Sequence, residues 1–317
     1  MLRVVIIGYG EMFTNLIAGT LDANCSIVGV LRHECIKYNP IIRKIKDIFN
    51  PSQDYNYIKS YNLPEINVKS VNSEAFKNKL LKLNPDIILV GSWGERLTKD
   101  IYSLPKIAAI NAHPSLLPQY RGPNPYFWTI KNRELSSGIT FHLIDEEYDT
   151  GAILAQEEIK IFADDTGKTL KERTVLMARR VVCELLKDLS EDIIIPLKQN
   201  EEKSNYYSHP TDLELDFEKT AEENAALIRA IYPWGYAYFY NKNTCLIAKP
   251  EGLEILNNDT NYSIPGTVIN VDPIMKTLSI LCTENKVLKI KINCLKKYDR
   301  PFFTNYLKKE IKSGNIL

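Results

Sequence analysis

The stretch Val4-Val5-Ile6-Ile7-Gly8-Tyr9-Gly10 decides the fold class of this 317-residue chain. Four consecutive apolar residues predict a buried first strand, and the glycines that follow predict a turn into a helix from about Glu11 to Leu21. This strand-turn-helix unit is the usual beginning of a sheet whose strands alternate with helices.

The same alternation continues through the first half of the chain. The apolar periodicity predicts helices over about 73–83, 123–131 and 167–189, and strands at Ile27–Leu31, Asp86–Gly91, Ile107–Asn111 and Gly138–Leu143. Strands alternating with helices predict an α/β fold with a Rossmann-like, mostly parallel sheet. Ligands of such a sheet gather beyond the carboxyl ends of its strands.

The second half of the chain has a different pattern. Residues 196–216 are polar and lack a convincing period, which predicts a linker between a domain of residues 1–200 and another of residues 201–317. After the linker come a predicted helix at about 222–230 and short strands at 237–240, 244–249, 266–271, 278–282 and 288–292. Short strands separated by turn residues predict a small β-barrel.

Composition excludes several classes of protein. The hydrophobic share of 44% and the charged share of 25% are typical of a globular chain, and the net charge of +1 gives no general argument for a nucleic-acid or membrane partner. The stretch from Lys286 to Lys312 nevertheless carries nine Lys or Arg against two acids. It is either a solvated face or a surface for an anionic ligand.

The cysteines and the N-terminus indicate the compartment. Six cysteines show no Cys-x-x-Cys pair and no histidine at zinc spacing, so neither a metal cluster nor a disulfide scaffold is predicted. The chain enters its first strand without a visible targeting segment. We therefore expect a cytoplasmic protein.

Two separated segments carry the chemistry. Asn111-Ala-His113-Pro-Ser-Leu-Leu-Pro118 supplies an amide and an imidazole, and the loop that ends in Asp149-Thr-Gly151 supplies a carboxylate. An amide can donate to a developing oxyanion, an imidazole can move a proton near neutral pH, and a carboxylate can fix the tautomer of that imidazole. A lone Asn-x-His is more often a strand end with a satisfied histidine, but the joint occurrence favours acyl transfer to an amine.

Residues 85 to 156 resemble the folate-dependent formyltransferase family. The resemblance also includes Ser92-Trp-Gly94-Glu-Arg96-Leu97 upstream and Gln119-Tyr-Arg121-Gly122 downstream of the Leu-Leu-Pro. It implies transfer of the formyl group of 10-formyltetrahydrofolate to a primary amine. Asn111 would hold the formyl oxygen, His113 would stabilise charge or shuttle a proton, and Asp149 would set the pKa and orientation of His113. Whether His113, Asp149 or a water takes the amine proton stays open.

The resemblance also implies a pocket for the pteridine ring of the donor. Two loops would form it, largely through backbone groups, with the residues Ser92, Trp93, Gly94, Arg96, Leu97, Ile144, Asp145 and Tyr148. Arg96 either meets the glutamate tail of the folate or is a surface arginine. Glu147 stands where the family often has glycine.

The acceptor amine is implied by the second half of the chain. Tyr232-Pro-Trp234 and Ile264-Pro-Gly266 resemble the C-terminal barrel of methionyl-tRNA formyltransferases, so initiator methionyl-tRNA is the leading acceptor. Sugar-nucleotide N-formyltransferases share the trio, and an amino-sugar nucleotide is the alternative. The segment from Arg32 to Lys69 does not resemble the tRNA enzymes. Within it, Ile41 to Phe49 is predicted to be a helix packed on the domain.

Other interpretations are also open to the sequence. A non-catalytic binding protein on the same scaffold is the alternative from another class, although the trio is intact. A dinucleotide site at Gly8-Tyr-Gly10 is disfavoured, because Phe13 replaces the third glycine and Arg32 the acidic residue. Four aromatics either stack on a nucleotide base or pack as core, and core is favoured: Tyr120, Tyr126, Phe127 and Trp128.

Overall fold

The computed structural model describes residues 1–294 and 300–317, so Lys296 and Lys297 of the basic stretch lie outside the described residues. By its contacts the chain divides into two compact units. The first comprises Met1–Pro125, Ser136–Lys160 and Lys171–Ser208, and the second comprises Tyr126–Leu135, Ile161–Leu170 and His209–Leu317. Across the described helices, none combines the length and the apolar character needed to cross a bilayer.

The first unit is built on a six-stranded sheet. Its strands are β1 (Arg3–Gly8), β2 (Ser26–Arg32), β3 (Ile87–Gly91), β4 (Ala108–His113), β5 (Ser136–Leu143) and β6 (Ile153–Lys160). They lie in the order β2-β1-β3-β4-β5-β6, with β1 to β4 parallel and β5 and β6 antiparallel to their neighbours. The predicted α/β fold with a Rossmann-like, mostly parallel sheet is confirmed.

Helices cover both faces of this sheet. In chain order the first eight helices are α1 (Gly10–Asp22), α2 (Glu34–Lys37), α3 (Pro40–Phe49), α4 (Gln53–Ser60), α5 (Glu74–Leu83), α6 (Lys99–Tyr102), α7 (Pro125–Lys131) and α8 (Gly167–Ser190). Of these, α7 from Tyr126 onward and α8 up to Leu170 belong to the second unit. Val4 and Ile6 belong to a buried cluster with residues of α1 and α8, whereas Val5 and Ile7 belong to another with residues of α5. Alternate residues of β1 therefore face opposite layers, as a doubly covered strand requires.

The second unit contains a five-stranded antiparallel sheet. Its strands are β7 (Tyr238–Asn241), β8 (Thr244–Asn257), β9 (Val268–Asp272), β10 (Thr277–Leu281) and β11 (Lys286–Cys294), in the order β7-β8-β11-β10-β9. Helix α9 (Ala221–Ile231) begins at a capping box of Thr220 and Glu223, and α10 (Arg300–Glu310) follows β11. The predicted small β-domain is confirmed, as a half-barrel.

Some element boundaries differ from the predicted ones. The strand predicted to end at Asn111 continues to His113, so both residues lie on β4 itself. Strand β6 was not predicted, and β8 is longer than expected. The aromatics Tyr120, Tyr126 and Phe127 are buried, as predicted for core residues.

The prediction for Ile41 to Phe49 was right about the helix and wrong about its packing. The apolar residues of α3 are exposed, Ile41 by 74% and Phe49 by 83%. The inward side of α3 is polar instead, because Asp47 accepts a hydrogen bond of 2.5 Å from the fully buried Arg32. A buried guanidinium needs ionic partners, and that need sets the orientation of the helix.

The turn at Gly8-Tyr9-Gly10 holds a side chain of the protein. The backbone N–H of Gly10, at the start of α1, donates to both carboxylate oxygens of the buried Asp54, at 3.1 and 2.9 Å. An anion at a helix N-terminus is favourable, and here Asp54 supplies it. This arrangement favours a simple βα turn over a phosphate-binding turn.

Candidate active site

Two neighbouring strand ends bring the predicted trio together. Asn111 and His113 lie on the last residues of β4, and the loop from Ile144 to Gly151 follows β5. In the antiparallel register of β4 and β5, Asn111 is opposite His142. The trio therefore meets at the carboxyl end of β4, where an open α/β sheet binds its ligands.

The Asp149 carboxylate is the centre of the site. Its Oδ1 lies 3.3 Å from Asn111 Nδ2 and 3.5 Å from both His113 Nδ1 and His142 Nε2. Its Oδ2 accepts a hydrogen bond of 2.9 Å from the backbone N–H of Gly122. Burial would raise the pKa of Asp149, but the two imidazoles and these donors hold that pKa well below its usual range. Asp149 is therefore ionised at neutral pH.

The partners of His113 fix one of its protons. The ring is 5% exposed, and Nε2 lies 2.8 Å from the carbonyl oxygen of Tyr120. A carbonyl only accepts, so Nε2 carries the proton and Nδ1 faces Asp149. Burial lowers the pKa of His113, although the Asp149 charge and the Tyr120 carbonyl oppose that shift. The neutral ring presents an Nδ1 lone pair.

His142 is a member of the site that the sequence interpretation missed. Its Nδ1 lies 2.8 Å from the Leu143 carbonyl oxygen and carries a proton for the same reason. Its Nε2 accepts from Asn111 Nδ2 at 3.1 Å. The two N–H groups of the Asn111 amide thus point to His142 and Asp149. The signal in the sequence was a histidine near the end of the strand that leads to Asp149, but its pairing with Asn111 is a matter of strand register.

Two glycines allow the loops to approach each other. A Cβ atom at Gly151 would lie 1.8 Å from the carbonyl oxygen of Leu143. Gly122 has a φ of +93°, and its Cβ would lie 2.3 Å from the carbonyl oxygen of Tyr207. Neither position accepts a side chain without moving backbone, so Arg-Gly and Asp-Thr-Gly are required by geometry.

The loops predicted to bind the pteridine lie side by side. Arg96 donates to the carbonyl oxygen of Glu146, and its guanidinium lies 6.0 Å from the ring centroid of Tyr148. Asp145 is engaged within its own loop, where it accepts from the Thr150 hydroxyl at 2.7 Å. Arg96 therefore joins the two loops.

The remaining predicted pocket residues form the base of these loops. Leu97 is buried, and the partly buried Trp93 and Ile144 pack against the same apolar cluster. Ser92 has a φ of +56°, and a Cβ at Gly94 would meet open space. The indole Nε1 of Trp93 is buried without a hydrogen-bond partner among the described residues. A buried donor of this kind requires an acceptor, and a bound heterocycle offers one.

Comparison with known proteins identifies the family. The formyl transferase family model matches residues 2–186, and the model of the formyl transferase C-terminal domain matches residues 208–299. The methionyl-tRNA formyltransferase of Caldanaerobacter subterraneus subsp. tengcongensis is 35% identical over 224 residues, which cover 70% of this chain and 70% of that protein. That of Lachnospira eligens is 28% identical over 310 residues, which cover 95% of this chain and 96% of that protein.

A solved structure has the same fold. The N-formyltransferase from Helicobacter canadensis, in complex with folinic acid and dTDP-3-aminofucose, superposes with a TM-score of 0.67 at 18% identity. The match covers 92% of this chain and all of that one. Together with the family match, which spans more than half of the residues, these findings show that the chain belongs to the formyl transferase family and is a formyltransferase.

Proposed function

We propose that this enzyme transfers the formyl group of 10-formyltetrahydrofolate to the amino group of methionyl-tRNA. The proposed chemistry rests on one observation: the Asn111 amide and the His113 imidazole both lie beside Oδ1 of Asp149. The acceptor is supported by the relatives named methionyl-tRNA formyltransferase, one of which aligns over 95% of this chain.

The proposed reaction is an acyl transfer between two nitrogens. The lone pair of the acceptor amine attacks the formyl carbon and forms a C–N bond, and the carbonyl electron pair moves to oxygen. The amine loses a proton, the electron pair on oxygen re-forms the carbonyl as the bond from the formyl carbon to N10 breaks, and N10 receives a proton. The products are a formamide and tetrahydrofolate, and no oxidant or reductant is consumed.

The imidazole of His113 is the proposed carrier of that proton. Its Nε2 is committed to the Tyr120 carbonyl, so Nδ1 is the ring atom that accepts. The imidazolium so formed lies 3.5 Å from the Asp149 carboxylate, which stabilises it. Proton return from Nδ1 to N10 would restore the resting ring.

The Asn111 amide is the proposed donor to the developing oxyanion. Its N–H groups point to His142 at 3.1 Å and to Asp149 at 3.3 Å. The longer bond is the weaker one, and a formyl oxygen with growing negative charge would replace it. The bond to His142 would keep the amide plane in place during that exchange.

The donor pocket is proposed to lie between the loops Ser92–Leu97 and Ile144–Asp149. The unpartnered Trp93 Nε1 supports this assignment, because a pteridine carries ring nitrogens and a carbonyl that accept hydrogen bonds. Replacing Trp93 with Phe should weaken binding of 5-formyltetrahydrofolate about tenfold in calorimetry, the effect of about one hydrogen bond. Replacing Trp234 with Phe is the matched control. Equal affinity of the Trp93 variant and wild type would count against the assignment.

The proposal also carries the location and the domain boundary predicted from the sequence. The proposal includes the cytoplasmic location predicted from the sequence, which is compatible with a folate donor and a tRNA acceptor. A domain boundary near residue 200 also stays a prediction. Residues 197–207 make several hydrogen bonds within the first unit.

A formyl-transfer assay with two acceptors tests the function. Purified enzyme with 10-formyltetrahydrofolate should formylate methionyl-tRNA, and the His113→Ala variant is the inactive control. Binding of methionyl-tRNA should weaken steeply with salt, because phosphate contacts release counterions. Formylation of a nucleotide-linked amino sugar in place of methionyl-tRNA would replace the acceptor, and transfer to neither would overturn the proposal.

A further inference from the structure

Residues 197–207 form a strap along the site. At one end, Leu197 and Ile153 exchange two backbone hydrogen bonds of 2.8 Å. At the other end, the Arg121 N–H donates to the Asn205 carbonyl at 3.1 Å, and the Tyr207 N–H donates to the Arg121 carbonyl at 3.0 Å. The strap therefore connects the start of β6 with the loop that follows β4. The sequence had predicted a linker here.

Gln199 lies in the strap between the two loops of the site. Its side chain is buried, and its Nε2 donates to the carbonyl oxygens of Asp149 at 2.9 Å and Gly151 at 2.7 Å. Its Oε1 accepts from Arg121 Nη2 at 2.8 Å and from Arg121 Nε at 3.2 Å. A primary amide has two donor hydrogens and two acceptor positions, and all four are used.

Arg121 transmits the same constraint to the other loop. It is 7% exposed, and its guanidinium also donates to both carboxylate oxygens of Glu201, at 2.9 and 2.8 Å. The next residue, Gly122, gives its N–H to Asp149 Oδ2. Gln199 thus binds the main chain of Asp149 directly. Through Arg121 it also positions Gly122, whose N–H donates to the Asp149 carboxylate.

Asp149 needs such support because of its backbone. Its φ of +60° is in the left-handed region, which residues other than glycine rarely adopt unless their surroundings impose it. Without the Gln199 amide, the carbonyl oxygens of Asp149 and Gly151 would also lose a hydrogen-bond donor. We propose that Gln199 is a positioning residue for formyl transfer, which fixes Asp149 against His113 and Asn111. This inference rests on the proposed function and adds to it a part of the chain outside the family's motif segments.

The kinetic test uses two variants of one position. Gln199→Met keeps the length and loses all four hydrogen bonds, whereas Gln199→Glu retains oxygens for Arg121 and loses both donors to the Asp149 loop. Both should lower kcat by about ten- to a hundredfold, the effect of misplacing a catalytic group, while KM for the folate changes by less than about threefold. The matched control is Gln53→Met, at an exposed glutamine of α4. Wild-type turnover in Gln199→Glu would overturn the inference.

A second measurement is independent of activity. The chain has four histidines, at positions 33, 113, 142 and 209, so their ring resonances can be assigned by single substitutions. In Gln199→Met and in Gln199→Glu, the resonances of His113 and His142 should move, because both face Asp149 Oδ1, while those of His33 and His209 stay. Unmoved resonances of His113 and His142 would overturn the positioning role. Moved resonances in an enzyme without formyl transfer would instead refute the proposed function alone.

Discussion

The strand ends of β4 and β5 each bring a histidine to Asp149, and they use it differently. His113 and His142 both lie 3.5 Å from the same carboxylate oxygen. In His113 the Tyr120 carbonyl holds the Nε2 proton, so Nδ1 faces the carboxylate; in His142 the Leu143 carbonyl holds the Nδ1 proton, and Nε2 accepts from Asn111. In both rings the carbonyl at the far nitrogen leaves the near nitrogen as an acceptor, and in His142 the Asn111 amide occupies that acceptor. In the proposed mechanism the β4 histidine changes its protonation, whereas the β5 histidine holds the Asn111 amide.

The largest expected effect comes from removing the β4 imidazole. His113→Ala should lower kcat by at least about a hundredfold, the scale of lost acid-base catalysis, while the protein remains folded. Steady-state formyl transfer and circular dichroism measure the two parts. Near-normal turnover of the folded variant would mean that His113 carries no proton in the reaction.

Asp149→Asn should also lower kcat by about a hundredfold. It also tests the direction in which the pKa of His113 changes. The Asp149 charge raises the pKa of His113, against the lowering effect of burial. Its removal should lower that pKa further and shift the acid limb of the kcat profile to lower pH. A shift of the limb to higher pH would show that another group titrates there.

The β5 imidazole should matter less. His142→Leu removes the acceptor for Asn111, and we expect kcat to fall about tenfold, the effect of about one hydrogen bond in the transition state. His142→Gln offers a side-chain oxygen in place of Nε2 and should recover part of the loss. If the two variants were equally active, orientation of Asn111 by this residue would be excluded.

The two strand ends also differ in how well they could be predicted from the sequence. The motif from Asn111 to Pro118 predicted the β4 end almost completely, because its residues are adjacent in the chain and the apolar strand before them is unambiguous. His142 was missed because its contact with Asn111 depends on the antiparallel register of β4 and β5. The residues of one strand alone do not determine that register.

The strap and helix α3 show a related limit of the sequence. Gln199 sits in a polar stretch without periodicity, and such stretches are typical of linkers. The isoleucines of α3 indicated a buried face, but the buried Arg32 required the polar face instead. In both places hydrogen bonds between polar groups that are separated in the sequence determine how the segment packs, whereas periodicity indicates only apolar burial.

The smallest expected effect concerns stability and separates the titration of His113 from that of Asp149. Burial keeps the pKa of His113 in the folded protein below its unfolded value of about 6.5, so the unfolded chain binds a proton first. The free energy of unfolding should therefore decrease as pH falls below about 6.5, by up to about 1.4 kcal/mol per pH unit. The pKa of Asp149 is also depressed, but its contribution is fully present above the unfolded value of about 3.9 and is lost only below it.

Urea unfolding at pH 7, 5.5 and 4.5 measures this dependence, because the range from pH 7 to 4.5 contains the titration of His113 but not that of Asp149. The variant His113→Asn should flatten the slope between pH 7 and 4.5, whereas Asp149→Asn should leave a slope in that range. An unchanged slope in His113→Asn would assign the acid sensitivity to another group. It would also mean that burial does not depress the pKa of His113, and the two strand ends would then differ in geometry alone.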